Sequence, residues 1–248
     1  MAKVTLYSDC LSPFSYFAFA TLSRYAEQKL WPIELTLKPI LLGGVMAATG
    51  NMPPGARKWS GSTAKVSAQD LPRNRGLFNL PDMLQGPSNF FGPDGPSDKR
   101  GLARDMRYQR MLTAVRLHQP AALLGATRRT FELIWASVRD RDGRGNVQIS
   151  SAVLLRIATE ALAEQGIDAS EAEKIVSAID ADDTKALLKD TTAEAVSLGA
   201  YGAPFICVER EGEEAQVFFG SDRFEQLAFT MGWPWHGPDP ARPTRSAL

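Results

Sequence analysis

Cysteine and histidine are both scarce. Each occurs twice in 248 residues, as Cys10 and Cys207 and as His118 and His236. Two cysteines make no disulfide framework and suit a reducing compartment. Together with two isolated histidines they supply no spaced ligand set for zinc, so no metal is expected. Neither histidine keeps the company that a Ser-His-Asp arrangement requires, and no Gly-x-Ser-x-Gly elbow occurs. Excess charge is also absent, since 28 Lys plus Arg balance 28 Asp plus Glu. That leaves no electrostatic footprint for nucleic acid or an anionic membrane. No apolar run approaches the ~20 residues of a membrane span. The first strand candidate begins at Lys3, which leaves no room for a signal or transit peptide before it, and an intracellular protein is expected. What is present is enough apolar residue, 44% of the chain, to bury a sizeable core in one or two domains.

The order of elements is informative. Val4 and Leu6 alternate with Lys3 and Thr5 in a strand candidate over 3–9. Ser12-Pro13 then reads as an N-cap followed by the residue favoured at the first helical position, opening a helix toward Leu30. Ile33, Leu35 and Leu37 mark a second strand, so the first 40 residues predict a right-handed β-α-β unit. Near the other end, 204–208 and 217–219 read as strands around the turn Glu211-Gly212-Glu213, with a short helix over 223–231. A β-α-β unit joined to a later β-β-α unit is the thioredoxin arrangement. Between them, apolar spacing predicts helices over 104–118, 121–138 and 151–165, another opening at Ser170, and one over 183–198 stopped by Gly199. The expected architecture is α/β, a thioredoxin fold with a large all-helical domain inserted between its halves. The expected boundaries are 1–42 and 183–248 for the thioredoxin-like parts and 43–182 for the insertion. The stretch 76–100, rich in Gly and Pro and carrying Phe90-Phe91, reads as a long loop. It is either a lid presenting aromatics to a hydrophobic substrate or a plain surface excursion.

Three short segments bear on chemistry. Ser12-Pro13-Phe14-Ser15 stands where thioredoxin-like redox proteins carry Cys-x-x-Cys, at a helix N-terminus that lowers a thiol pKa. Serine replaces both cysteines, and Cys10 lies two residues too early with no partner, so dithiol exchange is excluded. A serine hydroxyl and free backbone N–H groups at the helix start could instead stabilise a thiolate supplied by a ligand. An ordinary helix cap is the competing account of Ser12. In Gly202-Ala203-Pro204-Phe205 a proline opens a strand, cis if the fold is thioredoxin-like and otherwise an ordinary trans proline. In Phe219-Gly220-Ser221-Asp222-Arg223, Ser221 or Asp222 would cap the last helix, or would add an anion site there with Asp222 pairing an ammonium.

Taken in order with Gly50-Asn51-Met52-Pro53-Pro54-Gly55, Leu112-Thr113-Ala114-Val115 and Trp235-His236-Gly237-Pro238, these segments resemble the kappa-class glutathione transferases. These are relatives of DsbA-type oxidoreductases and of 2-hydroxychromene-2-carboxylate isomerases. The resemblance implies a homodimer with glutathione as co-substrate and a small hydrophobic electrophile as its partner in conjugation, with peroxide reduction as a further activity. It implies Ser12 as the catalytic residue holding the thiolate, with Pro13 and Phe14 beside it. Asn51 and Lys65 would reach in from the inserted domain, Ala203 would pair with the cysteinyl backbone, and Ser221 and Asp222 would hold the γ-glutamyl end. Peroxisome or mitochondrion is the implied location, with cytoplasm as an alternative. The terminal Ser246-Ala247-Leu248 loosely resembles a peroxisomal address but lacks its basic middle residue. A glutathione-dependent isomerase and a non-catalytic thioredoxin-fold interaction module are the other readings.

Overall fold

The computed structural model describes residues 1–52, 61–94 and 98–242, with the backbone alone over 61–68. Lys65, Pro53-Pro54-Gly55 and the terminal Ser246-Ala247-Leu248 therefore fall, in side chain or entirely, outside the described residues.

Strand β1 (Ala2–Ser8) leads into helix α1 (Pro13–Glu27) and strand β2 (Ile33–Pro39). Helices α2 (Leu42–Thr49), α3 (Gly61–Leu77), α4 (Arg107–His118), α5 (Leu123–Trp135), α6 (Ser151–Ala163) and α7 (Ser170–Ser177) follow. Helix α8 (Asp182–Ser197), strands β3 (Phe205–Glu209) and β4 (Gln216–Phe219) and helix α9 (Phe224–Met231) complete the chain. The sheet order is β2-β1-β3-β4. β2 runs parallel to β1, and β3 and β4 are antiparallel additions, with Leu6 opposite both Leu37 and Ile206. This is the mixed thioredoxin sheet with helices interposed between its halves.

Alternation divides the sheet residues between two apolar cores. Val4, Leu6, Ile206 and Val208 pack with Phe17, Leu22 and Phe224 from α1 and α9. Tyr7, Phe205 and Cys207 point the other way, onto Val45 and Ala195 of α2 and α8. α1 is nearly surrounded: Phe17, Leu22 and Tyr25 are fully buried. Each such side chain contributes about 1.5–3 kcal/mol by burial.

Two helices escape the sequence pattern. α2 starts Leu42-Gly43-Gly44 and has no polar face, so no 3.6-residue stripe marks it. α3 contains Pro72, a residue that normally ends a helix, and reaches Leu77, so it takes the start of the expected 76–100 loop. Beyond α3, the described residues 78–94 of that loop are tied down. Ser88 N–H donates to Gly145 O, Leu84 N–H to Trp135 O, and Asn89 exchanges two hydrogen bonds with Val147. The Phe90 ring packs against Trp135 and Phe91, so it is engaged in the fold.

The register places the site. β1 and β2 end where β3 begins and β4 ends, because Tyr7 pairs with Phe205 and Phe205 with Phe219. The segments 9–12, 40–42, 202–204 and 220–222 therefore share one end of the sheet.

Candidate active site

The Ser12 side chain caps α1 as a serine should, accepting from the Ser15 N–H at 3.2 Å. Its hydroxyl also donates to the Ala203 carbonyl at 3.1 Å, across 191 residues of sequence. Ala203 precedes a cis proline, Pro204. The two expected segments, Ser12-Pro13 and Ala203-Pro204, thus face each other as the fold requires. Pro13 has no N–H, and among the described residues the Phe14 N–H has no acceptor. One main-chain donor therefore remains at the positive end of α1, where anions are favoured. The Phe14 ring is half-buried against Phe17.

Asn51 arrives from the end of α2, which Gly50 closes at φ +70°. Its side-chain amide donates to the Tyr201 carbonyl at 2.6 Å. Gly220 N–H donates to Pro204 O at 3.0 Å, which brings the Gly220-Ser221-Asp222 turn to the same loop. Ser12, Asn51, Ala203 and Ser221 accordingly gather around 201–204. The Asp222 carboxylate is exposed and paired with Arg223 at 2.6 Å.

One expectation for this turn is corrected. Neither Ser221 nor Asp222 caps α9, because the N-cap residue is Arg223 and no side-chain cap bond is made. The turn spends the two residues one step before the helix begins. Ser221 is buried, and Asp222 lies against Gly220, whose φ of +105° lets the chain turn there.

The cysteines are both free and buried. Burial, then the neighbouring Asp9 charge, pushes the Cys10 thiol well above its ordinary range. Neither sulfur is placed for exchange chemistry.

Sequence reasoning passed over the support beneath this site. Asp9 is 2% exposed and its carboxylate accepts three hydrogen bonds, from Leu11 N–H, Leu42 N–H and the Tyr108 hydroxyl. Burial raises its pKa despite those donors. Trp135 donates its indole N–H to the Cys10 carbonyl at 2.8 Å. The side-chain amide of Gln109 donates to the carbonyls of Ser8 and Ile40, tying the ends of β1 and β2 together. The available signal was an acidic residue set between Ser8 and Cys10 at the end of an apolar strand. Tyr201, half exposed and in tilted contact with Phe219 at 4.2 Å between ring centroids, adds an aromatic face beside Asn51. No helix among the described residues is long and apolar enough to cross a membrane.

A serine cap facing a cis-proline loop at the end of a mixed sheet defines a class, and comparison agrees. The model of the DsbA-like thioredoxin domain matches residues 3–232. Within that class the chain belongs to the glutathione S-transferase kappa family. It is 34% identical to the rat (Rattus norvegicus) glutathione S-transferase kappa 1, over 98% of this chain and 95% of the relative. The human (Homo sapiens) protein of the same name is 33% identical, over 96% and 94%. Among solved structures, a 2-hydroxychromene-2-carboxylate isomerase superposes with a TM-score of 0.63 at 22% identity, over 93% of this chain and 94% of that one. The cytosolic disulfide reductase DsbM from Pseudomonas aeruginosa, solved with GSH, gives 0.53 at 18%, over 93% and 98%. These two likenesses concern the fold.

Proposed function

We propose that this chain is a glutathione transferase of the kappa type, in which Ser12 donates a hydrogen bond to the glutathione thiolate. Family membership supports the activity. The observation that carries the residue assignment is the Ser12–Ala203 hydrogen bond at 3.1 Å, which aims the hydroxyl at the loop where a peptide-like ligand can pair.

A hydroxyl has one proton to donate. In this structure the Ala203 carbonyl receives it. A bound cysteinyl N–H can take over that carbonyl, leaving the Ser12 proton for the sulfur. Ser15 N–H keeps the oxygen oriented meanwhile. The Phe14 N–H at the start of α1 supplies a second donor to the thiolate. A free thiol has a pKa near 8.5, and each unit of depression corresponds to ~1.4 kcal/mol of preference for the thiolate. Two donors and a helix terminus are of the right size for one to two units. The thiolate then attacks the electrophile: its lone pair forms the carbon–sulfur bond, and the leaving group departs with the electrons of the bond it breaks. Asn51, Ser221 and Asp222 are assigned to the rest of glutathione, with Pro13 beside the sulfur and Lys65 as a further contact. Peroxide reduction by the same thiolate, a homodimeric assembly and a peroxisomal or mitochondrial location complete this reading on family likeness.

The test is calorimetric titration with glutathione, followed by product analysis with an aryl halide. Binding and a glutathione adduct support the transferase. Glutathione returned unconsumed while a hydroxychromene carboxylate isomerises supports the isomerase, and absence of binding at millimolar glutathione supports the interaction module.

A further inference from the structure

In the reading above Asp9 touches no ligand, yet three parts of the site meet on its carboxylate. Oδ1 accepts the Leu11 N–H at 3.0 Å and the Tyr108 hydroxyl at 2.8 Å. Oδ2 accepts the Leu42 N–H at 2.8 Å. The main-chain carbonyl of Asp9 accepts the Ser12 N–H at 2.9 Å.

Each donor comes from a different arm. Leu11 belongs to the loop that sets Ser12. Leu42 is the first residue of α2, the helix that ends at Gly50 and hands over to Asn51. Tyr108 is fully buried on α4. Leu41, in the N-cap position of α2, makes no side-chain cap bond. Asp9 therefore supplies, from 33 residues away, the acceptor that the first turn of α2 needs. A carboxylate suits this junction because it only accepts, at about four lone-pair sites. An amide in its place would turn an NH2 toward at least one N–H donor. A group this buried costs free energy unless its bonds are made, so replacing the carboxylate itself loosens every arm at once, whereas removing the one donor on Oδ2 releases the α2 arm alone.

We propose that Asp9 is a positioning residue for glutathione, holding the Ser12 loop and the α2–Asn51 arm in register with each other. The inference rests on the assignment of Ser12 and Asn51 to the glutathione site.

Three variants separate the arms. Asp9→Asn keeps the volume and breaks the junction. Tyr108→Phe removes one donor only. Leu42→Pro removes the N–H that reaches Oδ2 at the helical position where proline is tolerated, after a Leu41 already at φ −93°, ψ 105°. For each variant the KM for glutathione, kcat and the pKa of the bound thiol, read from thiolate absorbance, are measured. Asp9→Asn is expected to raise KM about tenfold and to raise the thiol pKa. Tyr108→Phe is expected to shift both in the same direction, by about two- to threefold in KM. Leu42→Pro is expected to raise KM and leave the thiol pKa where it was, because only the Asn51 arm is released.

A folded Asp9→Asn chain with wild-type KM and thiol pKa overturns the inference alone. So does a Leu42→Pro chain that moves the thiol pKa and not KM. Should Asp9→Asn fail to fold, Tyr108→Phe and Leu42→Pro decide by the same criteria. A wild-type chain that does not bind glutathione overturns the assignment of the site, and the inference with it.

Discussion

The Ser12 hydroxyl and the Ala203 carbonyl, 3.1 Å apart, join the first helix to the loop before β3 at the end of the sheet. The same oxygen caps α1 by accepting from Ser15 N–H. A capping role and a chemical role are therefore compatible in one side chain, since one uses a lone pair and the other the proton.

Ser12→Ala removes both bonds at a buried position. The cap alone is worth about 0.5–2 kcal/mol. The Ala203 carbonyl is left without its donor as well, which takes the expected loss to about 1–3 kcal/mol. Chemical denaturation at neutral pH measures it. A loss near zero would mean that the carbonyl and the Ser15 N–H find other partners.

Trp135→Phe keeps an aromatic ring beside Phe90 and deletes the donor to the Cys10 carbonyl. A buried acceptor is orphaned two residues before Ser12. The expected cost is about 1–3 kcal/mol in unfolding free energy. An unchanged denaturation midpoint would show that this bond contributes little.

At Gly202 an added Cβ would stand 2.8 Å from Cε2 and 3.1 Å from Cζ of Phe219. Gly202→Ala must displace that ring, which also packs at a tilt against Tyr201. A destabilisation of about 1–3 kcal/mol is expected, together with a weaker hold on glutathione. Thermal unfolding and a glutathione titration on the same variant check both parts.

Much of this was legible in the sequence. Alternation in Val4 and Leu6, the Ser12-Pro13 start signal and the paired strands around Glu211-Gly212-Glu213 are local, and local patterns survive folding. The facing of Ser12 and Ala203-Pro204 belongs to the thioredoxin arrangement that those elements spell out. What was hidden depends on distant partners. α2 has neither a polar stripe nor a cap of its own, because its cap is Asp9. Trp135 read as one more apolar position in α5, and its indole N–H matters only because Cys10 lies beneath it. The start of α9 misled for a related reason: Ser221 and Asp222 are good capping residues, yet the chain turns at Gly220 one step too early for either to serve.

Stability should depend on pH through Glu194, which accepts from Lys38 at 2.6 Å and from the Tyr7 hydroxyl at 2.8 Å. Burial pulls this carboxyl upward, but the two donors and the nearby positive charges outweigh it, and its pKa lies below the ordinary range. The folded value is thus lower than the unfolded one. The stabilisation is complete above the unfolded pKa and is lost as pH falls through the folded value. Because Glu194 is partly exposed, the effect should stay below about 1 kcal/mol. Glu194→Gln should match wild type at low pH and fall short of it near neutrality in thermal unfolding. A constant difference at every pH would place the effect elsewhere.

The central claim is that Ser12 gives its proton to another molecule's sulfur. Titrating the ultraviolet thiolate absorbance of bound glutathione against pH, in wild type and in Ser12→Ala, addresses it directly. The wild-type chain should hold the thiol one to two units below the ~8.5 of a free thiol, and Ser12→Ala should return about one unit of that depression. The same thiol pKa in both proteins, with glutathione bound to each, would contradict the account.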